Sequence, residues 1–175
     1  MTYYGGKELA DSFRTVRKNT LVVAEEIPEA QFDFRAVPEV RSVAEMLSHI
    51  AVCASRNYEM HAVNRLTTFE GFDWSAFIEK WKREEQRLRT KSQILDALRR
   101  TGEEWASWLE GLPEDSLSAQ VRMPPQATPS SKSRFELLLS AKEHEMHHRA
   151  QLMLVQRLLG IVPHLTRERE MIGHV

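Results

Sequence analysis

At 175 residues the chain is about one domain long and can close a substantial hydrophobic core. Its formal charge of −1, from 24 basic and 25 acidic residues interspersed along the length, lacks the one-sided positive footprint of a nucleic-acid or anionic-membrane binder. The single cysteine, Cys53, excludes an intramolecular disulfide and fits a reducing compartment.

No stretch approaches the roughly 18 apolar residues of a membrane span, and MTYYGGKELADSF carries no apolar signal core, so a soluble, cytoplasmic protein is expected. After a short, loose start, Leu9, Phe13, Val16, Thr20, Val23, Ala24 and Ile27 recur at helical spacing, predicting a first helix ended by Pro28. Residues 29–41, with Pro38, read as a loop that Phe32 and Phe34 pack against the bundle. Ser42-x-x-Glu45 has the form of a capping box, in which hydroxyl and carboxylate satisfy orphan backbone N–H groups. It opens a second helix carrying Val43, Met46, Leu47, Ile50 and Ala54 to roughly Asn64.

Residues 65–91 hold a short amphipathic helix around Trp74, Phe77, Ile78 and Trp81, then a charged run from Lys80 to Lys91 that reads as a solvated face. The tryptophans read as packing groups. A connection this long can cross the full height of a bundle, so the third helix need not be antiparallel to the second. Thr90-x-x-Gln93 is a second capping box, ahead of a stripe through Ile94, Leu98, Trp105, Leu109 and Leu112 that stops at Pro113. Residues 113–133, with Pro113, Pro124, Pro125 and Pro129, read as a long irregular connection. Ser133-x-x-Glu136 opens a fourth helix to Leu159, closed by Gly160 and Pro163. His164 to Val175 is polar apart from Met171 and Ile172, and its pattern leaves open whether it is disordered, swapped or docked.

The fourth helix contains His144-Glu145-Met146-His147-His148. Its apolar stripe is Leu137, Leu138, Ala141, Leu152, Val155 and Leu159, and His144 and His148 stand where that stripe expects core residues. Side chains four apart on a helix have Cβ atoms roughly 5–6 Å apart, so both rings can reach one ion at about 2.0–2.1 Å. His147 turns away and reads as a flanking residue. The run also fits H-E-x-x-H of the zinc proteases, but a metzincin needs Gly and His where this chain has Gln151 and Leu154. The di-iron motif Glu-x-x-His occurs once, as Glu145 and His148, where two copies are required, so a mononuclear site is expected.

On the second helix, His49 lines up with Met46 and Cys53. Alone it would read as a core histidine satisfied by a hydrogen bond; beside the His144/His148 couple it becomes a third ligand. Cys53 reads as a small core filler, with fourth ligand or nucleophile as the other readings. Glu145 and Gln151 are the nearest candidates on the fourth helix to orient the rings, although Glu145 points about 100° from the His144 direction.

These features, SVAEMLSHIA, a long crossover and HEMHHRAQLMLVQRLLG, together resemble the DinB/YfiT-like superfamily over about residues 8–165. The family's leucine-rich turn and histidine correspond to Leu47-Ser48-His49, and its H-x-x-x-H-R-G-Q to His144, His148, Arg149, Ala150 and Gln151. Ala150 replaces the usual glycine, and Arg41 stands where tryptophan is common. The resemblance implies an all-α four-helix bundle of up-down-down-up topology, with a short extra helix in the crossover between helices 2 and 3. It also implies homodimers and a divalent metal such as zinc, nickel or iron on His49, His144 and His148, with positions open to water or substrate. Characterised relatives include transferases and isomerases that use low-molecular-weight thiols. Metal-dependent thiol S-transfer to a small electrophile is therefore expected, with hydrolysis, or an idle metal- or ligand-binding bundle, as alternatives. Nothing in these residues suggests a nucleic-acid partner.

Overall fold

The computed structural model describes residues 4–173. Four long helices make the body: α1 (Gly6–Glu26), α2 (Val43–Tyr58), α4 (Lys91–Glu110) and α6 (Arg134–Leu158), with α3 (Trp74–Arg87) in the crossover. All three predicted capping boxes form, at Ser42/Glu45, Thr90/Gln93 and Ser133/Glu136. Each starts its helix because a hydroxyl and a side chain three residues on share the orphan donors. Gly160, at φ +77°, takes the left-handed turn that follows α6.

Helix directions follow from the residues that share each core. At one end Val23 and Ile27 of α1 pack with Val43 and Leu47 of α2, Ile94 and Leu98 of α4, and Leu152 of α6. At the other, Leu9 and Phe13 pack with Ala54, Trp105, Leu109, Leu138 and Ala141. Early residues of α2 and α4 therefore lie beside late residues of α1 and α6. The topology is up-down-down-up, with α2 and α4 parallel, and the chain between them must return the full length of the bundle.

That return is more ordered than the charge pattern implies. α2 loosens into a π-helical turn at Glu59–Val63, and α3 extends through the charged run to Arg87, with Phe77 buried. Met60, Phe69, Phe77 and Val121 build a third, smaller core that joins the crossover to the segment before α6. The expected irregular connection at 113–133 instead contains α5 (Glu114–Ser118) and an antiparallel pair, β1 (Gln120–Arg122) and β2 (Ser131–Ser133). Residues 67–69 join β1 through one parallel bridge at Thr68 and two backbone hydrogen bonds. These pieces are too short to show a period, and Val121 is buried only because Met60, Phe69 and Phe77 meet it in space. Past α6 the chain docks as α7 (His164–Ile172), with His164 buried, whereas residues 174 and 175 lie outside the described residues.

The buried face of α6 differs from the expected stripe. Leu138, Ala141, Glu145, His148, Leu152 and Gln156 are buried, so beside the expected His148 two further polar residues, Glu145 and Gln156, fill core positions. Glu145 is 2% exposed and faces Arg17 of α1, 4% exposed, with Arg17 Nη2 to Glu145 Oε2 at 2.8 Å and Nε to Oε1 at 2.9 Å. Arg17 also donates to Leu98 O and, at 3.3 Å, to Thr101 Oγ1, whose hydroxyl donates to Ala51 O at 2.9 Å. One polar network thus touches all four main helices. Gly102 leaves it room, since a Cβ there would stand 2.6 Å from Arg17 Nη1.

Removing one partner of such a pair strands a buried charge. Glu145→Ala is expected to lower unfolding stability in urea by about 3–5 kcal/mol. The double variant Arg17→Met/Glu145→Leu should lose less, because it leaves no stranded charge; equal losses would contradict this account.

Candidate metal centre

His49 lies on α2 between Leu47 of one core cluster and Ala54 of the other, and His144 and His148 occupy the corresponding interval of α6. The bundle thus brings the three predicted residues face to face where both apolar clusters stop. His144 Nε2 stands 3.2 Å from His49 Nε2 and 3.1 Å from His148 Nε2. The three ligand atoms lie within 4.8 Å of one another, and among the described residues this is the grouping of histidine, cysteine and acidic side chains that could hold an ion. Two nitrogens held at about 2.0–2.1 Å from one ion at tetrahedral or octahedral angles stand roughly 2.8–3.4 Å apart. Both close spacings fall inside that range, so the residues fit a divalent cation.

Partners on the far side of two rings set which nitrogen is bare. His49 Nδ1 is 2.7 Å from Glu85 Oε1, and a carboxylate oxygen only accepts, so Nδ1 carries the proton and Nε2 presents its lone pair. His148 Nδ1 is 2.9 Å from Gln151 Oε1, an oxygen that accepts, and Gln151 Nε2 lies 3.3 Å from His147 Nε2. His144 Nδ1 is buried without a hydrogen-bond partner. Burial, then the neighbouring imidazoles, push the His144 pKa down to about 3, and burial also lowers His148 against the opposing pull of Gln151. Neutral rings are what a metal requires, since a protonated imidazole has no lone pair to give.

Glu145, expected as a possible orienting partner, is instead committed to Arg17 and makes no hydrogen bond to the imidazoles. Glu85 takes that part for His49, and the sequence reading missed it by treating residues 80–91 as solvated. A signal was present: Glu85 follows Phe77 and Trp81 at successive spacings of four, so it continues the inward stripe of α3. Cys53 is buried but is not in the converging group, and burial raises its thiol pKa above the ordinary value. It lines a pocket of about 360 Å³ whose wall also includes His144, Arg56, Met60, Phe77 and Met123. His61, also on that wall, is pushed down to about 4 by burial and by Arg134.

A helical bundle with parallel second and third main helices and three imidazoles converging between its cores is the class that this fold and site define. The chain belongs to the DinB superfamily, whose family model matches residues 12–152. No curated protein sequence matches it. Among solved structures it is similar to Bacillus subtilis YfiT, described as a probable metal-dependent hydrolase with an unusual four-helix bundle topology. The TM-score there is 0.72 at 14% identity, covering 92% of this chain and 91% of YfiT. The DinB-like protein YjoA of the same organism superposes with a TM-score of 0.63 at 19% identity, covering 87% of this chain and 92% of YjoA. The colibactin self-resistance protein ClbS, solved in complex with double-stranded DNA, has a TM-score of 0.65 at 13% identity, covering 90% of this chain and 98% of ClbS. These likenesses establish the shared fold.

Two outcomes follow from the geometry. Glu85→Ala frees the His49 ring to turn and is expected to weaken divalent-metal affinity about 10–100-fold in a competition titration with a chromophoric chelator. Unchanged affinity would show that Glu85 does not orient the ligand. His61 bears on stability: the unfolded chain takes up its proton near pH 6.5, the folded chain only near 4. Its share of stability is therefore complete above pH 6.5 and is lost as pH falls toward 4. Urea midpoints of metal-free protein should drop between pH 7.5 and 5, and His61→Gln should flatten part of that slope.

Proposed function

We propose that the chain is a divalent-metal-dependent enzyme acting on a small molecule, and that the reaction is transfer of a low-molecular-weight thiol to an electrophile. The carrying observation is that three Nε2 atoms converge beside a pocket whose wall includes no carboxylate. His49, His144 and His148 would hold the ion, and a three-imidazole set suits zinc, copper, iron or nickel alike. When bound, such an ion supplies Lewis acidity and lowers the pKa of a coordinated thiol or water.

The chain's own residues favour a thiol as nucleophile. Glu145 is tied to Arg17, Glu85 to His49, Cys53 stays a buried thiol, and His61, with its pKa pushed down to about 4 and Arg134 against its Nδ1, is a weak base, so the pocket wall offers no strong base to take a proton from water. A thiol, with an ordinary pKa of about 8.5 against about 15.7 for water, needs far less help. In a displacement the new S–C bond forms as the bond to the leaving group breaks, and the thiol proton and leaving group depart together as the acid. Apolar side chains around the pocket would keep water from the electrophile.

Hydrolysis is the second reading, supported by the description of YfiT. Double-stranded DNA, present with ClbS, is not proposed as a partner, because the near-neutral interspersed charge offers no phosphate track. Cys53 as the lone, unpaired cysteine supports a reducing, cytoplasmic setting.

The test loads purified protein with zinc, nickel, iron or copper and assays thiol conjugation and ester or amide hydrolysis, with His49→Ala as control. Metal-dependent conjugation that disappears in the variant is expected. Hydrolysis without conjugation would select the second reading. Background rates throughout, with metal raising only the melting temperature, would leave a binding bundle.

A further inference from the structure

Resting on the enzyme reading above, the pocket beside His144 narrows the substrate further. Its volume of about 360 Å³ is at the lower end of the roughly 300–1,000 Å³ usual for small-molecule sites, enough for one ring and a short chain. Met60, Phe69, Trp74, Phe77, Met123 and Leu137 line it, drawn from the end of α2, the crossover, the loop after β1 and the start of α6. All of these but Trp74 belong to the third core, left open on one side.

One charged group interrupts that apolar wall. Arg56 is partly buried, one turn beyond Cys53 on α2, and Nη2 donates to Cys53 Sγ at 3.1 Å. Among the described residues no carboxylate lies within ion-pair distance of it, unlike the buried Arg17 with its Glu145, and it is the one arginine on the pocket wall. A neutral thiol is a poor partner for a cation drawn partly out of water, and a guanidinium presents a planar fork that matches a carboxylate.

We propose that this pocket binds a small aromatic or otherwise apolar molecule bearing one carboxylate, and that Arg56 reads the carboxylate while the aromatic cluster holds the body. His144 borders the same pocket, so a molecule anchored at Arg56 lies alongside the metal centre. The substrate is then an organic acid with an electrophilic position away from its carboxylate.

The probe is 3-phenylpropionate, set against its neutral isostere 3-phenylpropionamide, titrated into chelator-treated, metal-free protein by calorimetry and tryptophan fluorescence. The acid is expected to bind about tenfold or more tightly than the amide, as a charge-assisted hydrogen bond provides. Arg56→Gln should bring the acid down to the level of the amide, and Arg56→Lys should keep part of the preference. Trp74→Leu should weaken acid and amide alike. Equal binding of acid and amide by the wild type, no detectable binding of the acid, or an acid preference that survives in a folded Arg56→Gln protein would each overturn the proposal. Metal uptake, scored separately by elemental analysis, keeps the two readings apart: His49→Ala should lose metal yet retain the acid preference.

Discussion

The Arg17–Glu145 pair is the constraint on which the arrangement of this bundle turns. Both groups are nearly excluded from water, and a buried ion pair is tolerated only where good geometry and further hydrogen bonds satisfy the remaining donors. Arg17 meets that demand by reaching Glu145 on α6 and Leu98 and Thr101 on α4, with Thr101 passing on to Ala51 on α2. The helices can therefore slide or rotate only by breaking a charged contact in low dielectric. Apolar packing above and below supplies cohesion, and this network sets register.

Register is what the histidines need. Glu145 is the neighbour of His144 and lies three residues before His148, and Ala51 is two residues after His49, so the network and the centre are adjacent layers of the same helices. Locking one locks the other to the precision that converging Nε2 atoms require. The position of α3 is a second consequence of topology. Because α2 and α4 are parallel, the chain must climb back between them, and this return helix brings Glu85 to His49. A bundle with short hairpin connections would have no element in that place.

Two surroundings meet at the centre. On one side stand polar residues that hold the rings, Glu85 and Gln151. On the other lies a pocket lined in part by the third core, with Arg56 as its cation and His61 and His144 as its imidazoles. An ion between them would face two rings held from behind, those of His49 and His148, and an opening bordered largely by hydrocarbon. Relatives share this bundle at 13–19% identity, and at that distance the fold persists while the pocket wall is free to vary.

Local signals in the sequence determined much of this. Three capping boxes, the stripes of the four main helices and the His144/His148 spacing depend on residues within one or two turns of each other, so they are readable without tertiary knowledge. The length between Asn64 and Thr90 was enough to allow a parallel crossover. Only the tertiary structure decided which polar residues are buried and with whom. Arg17 and Glu145 are 128 positions apart and His49 and Glu85 are 36 apart, and charged residues in a helix pattern look solvated until a partner across the bundle is known. The same holds for β1, β2 and Val121, and for Arg56, whose missing carboxylate is visible only once its neighbours in space are fixed. Periodicity reports the face a side chain occupies; the desolvation and pairing that give a charge its role depend on what lies opposite.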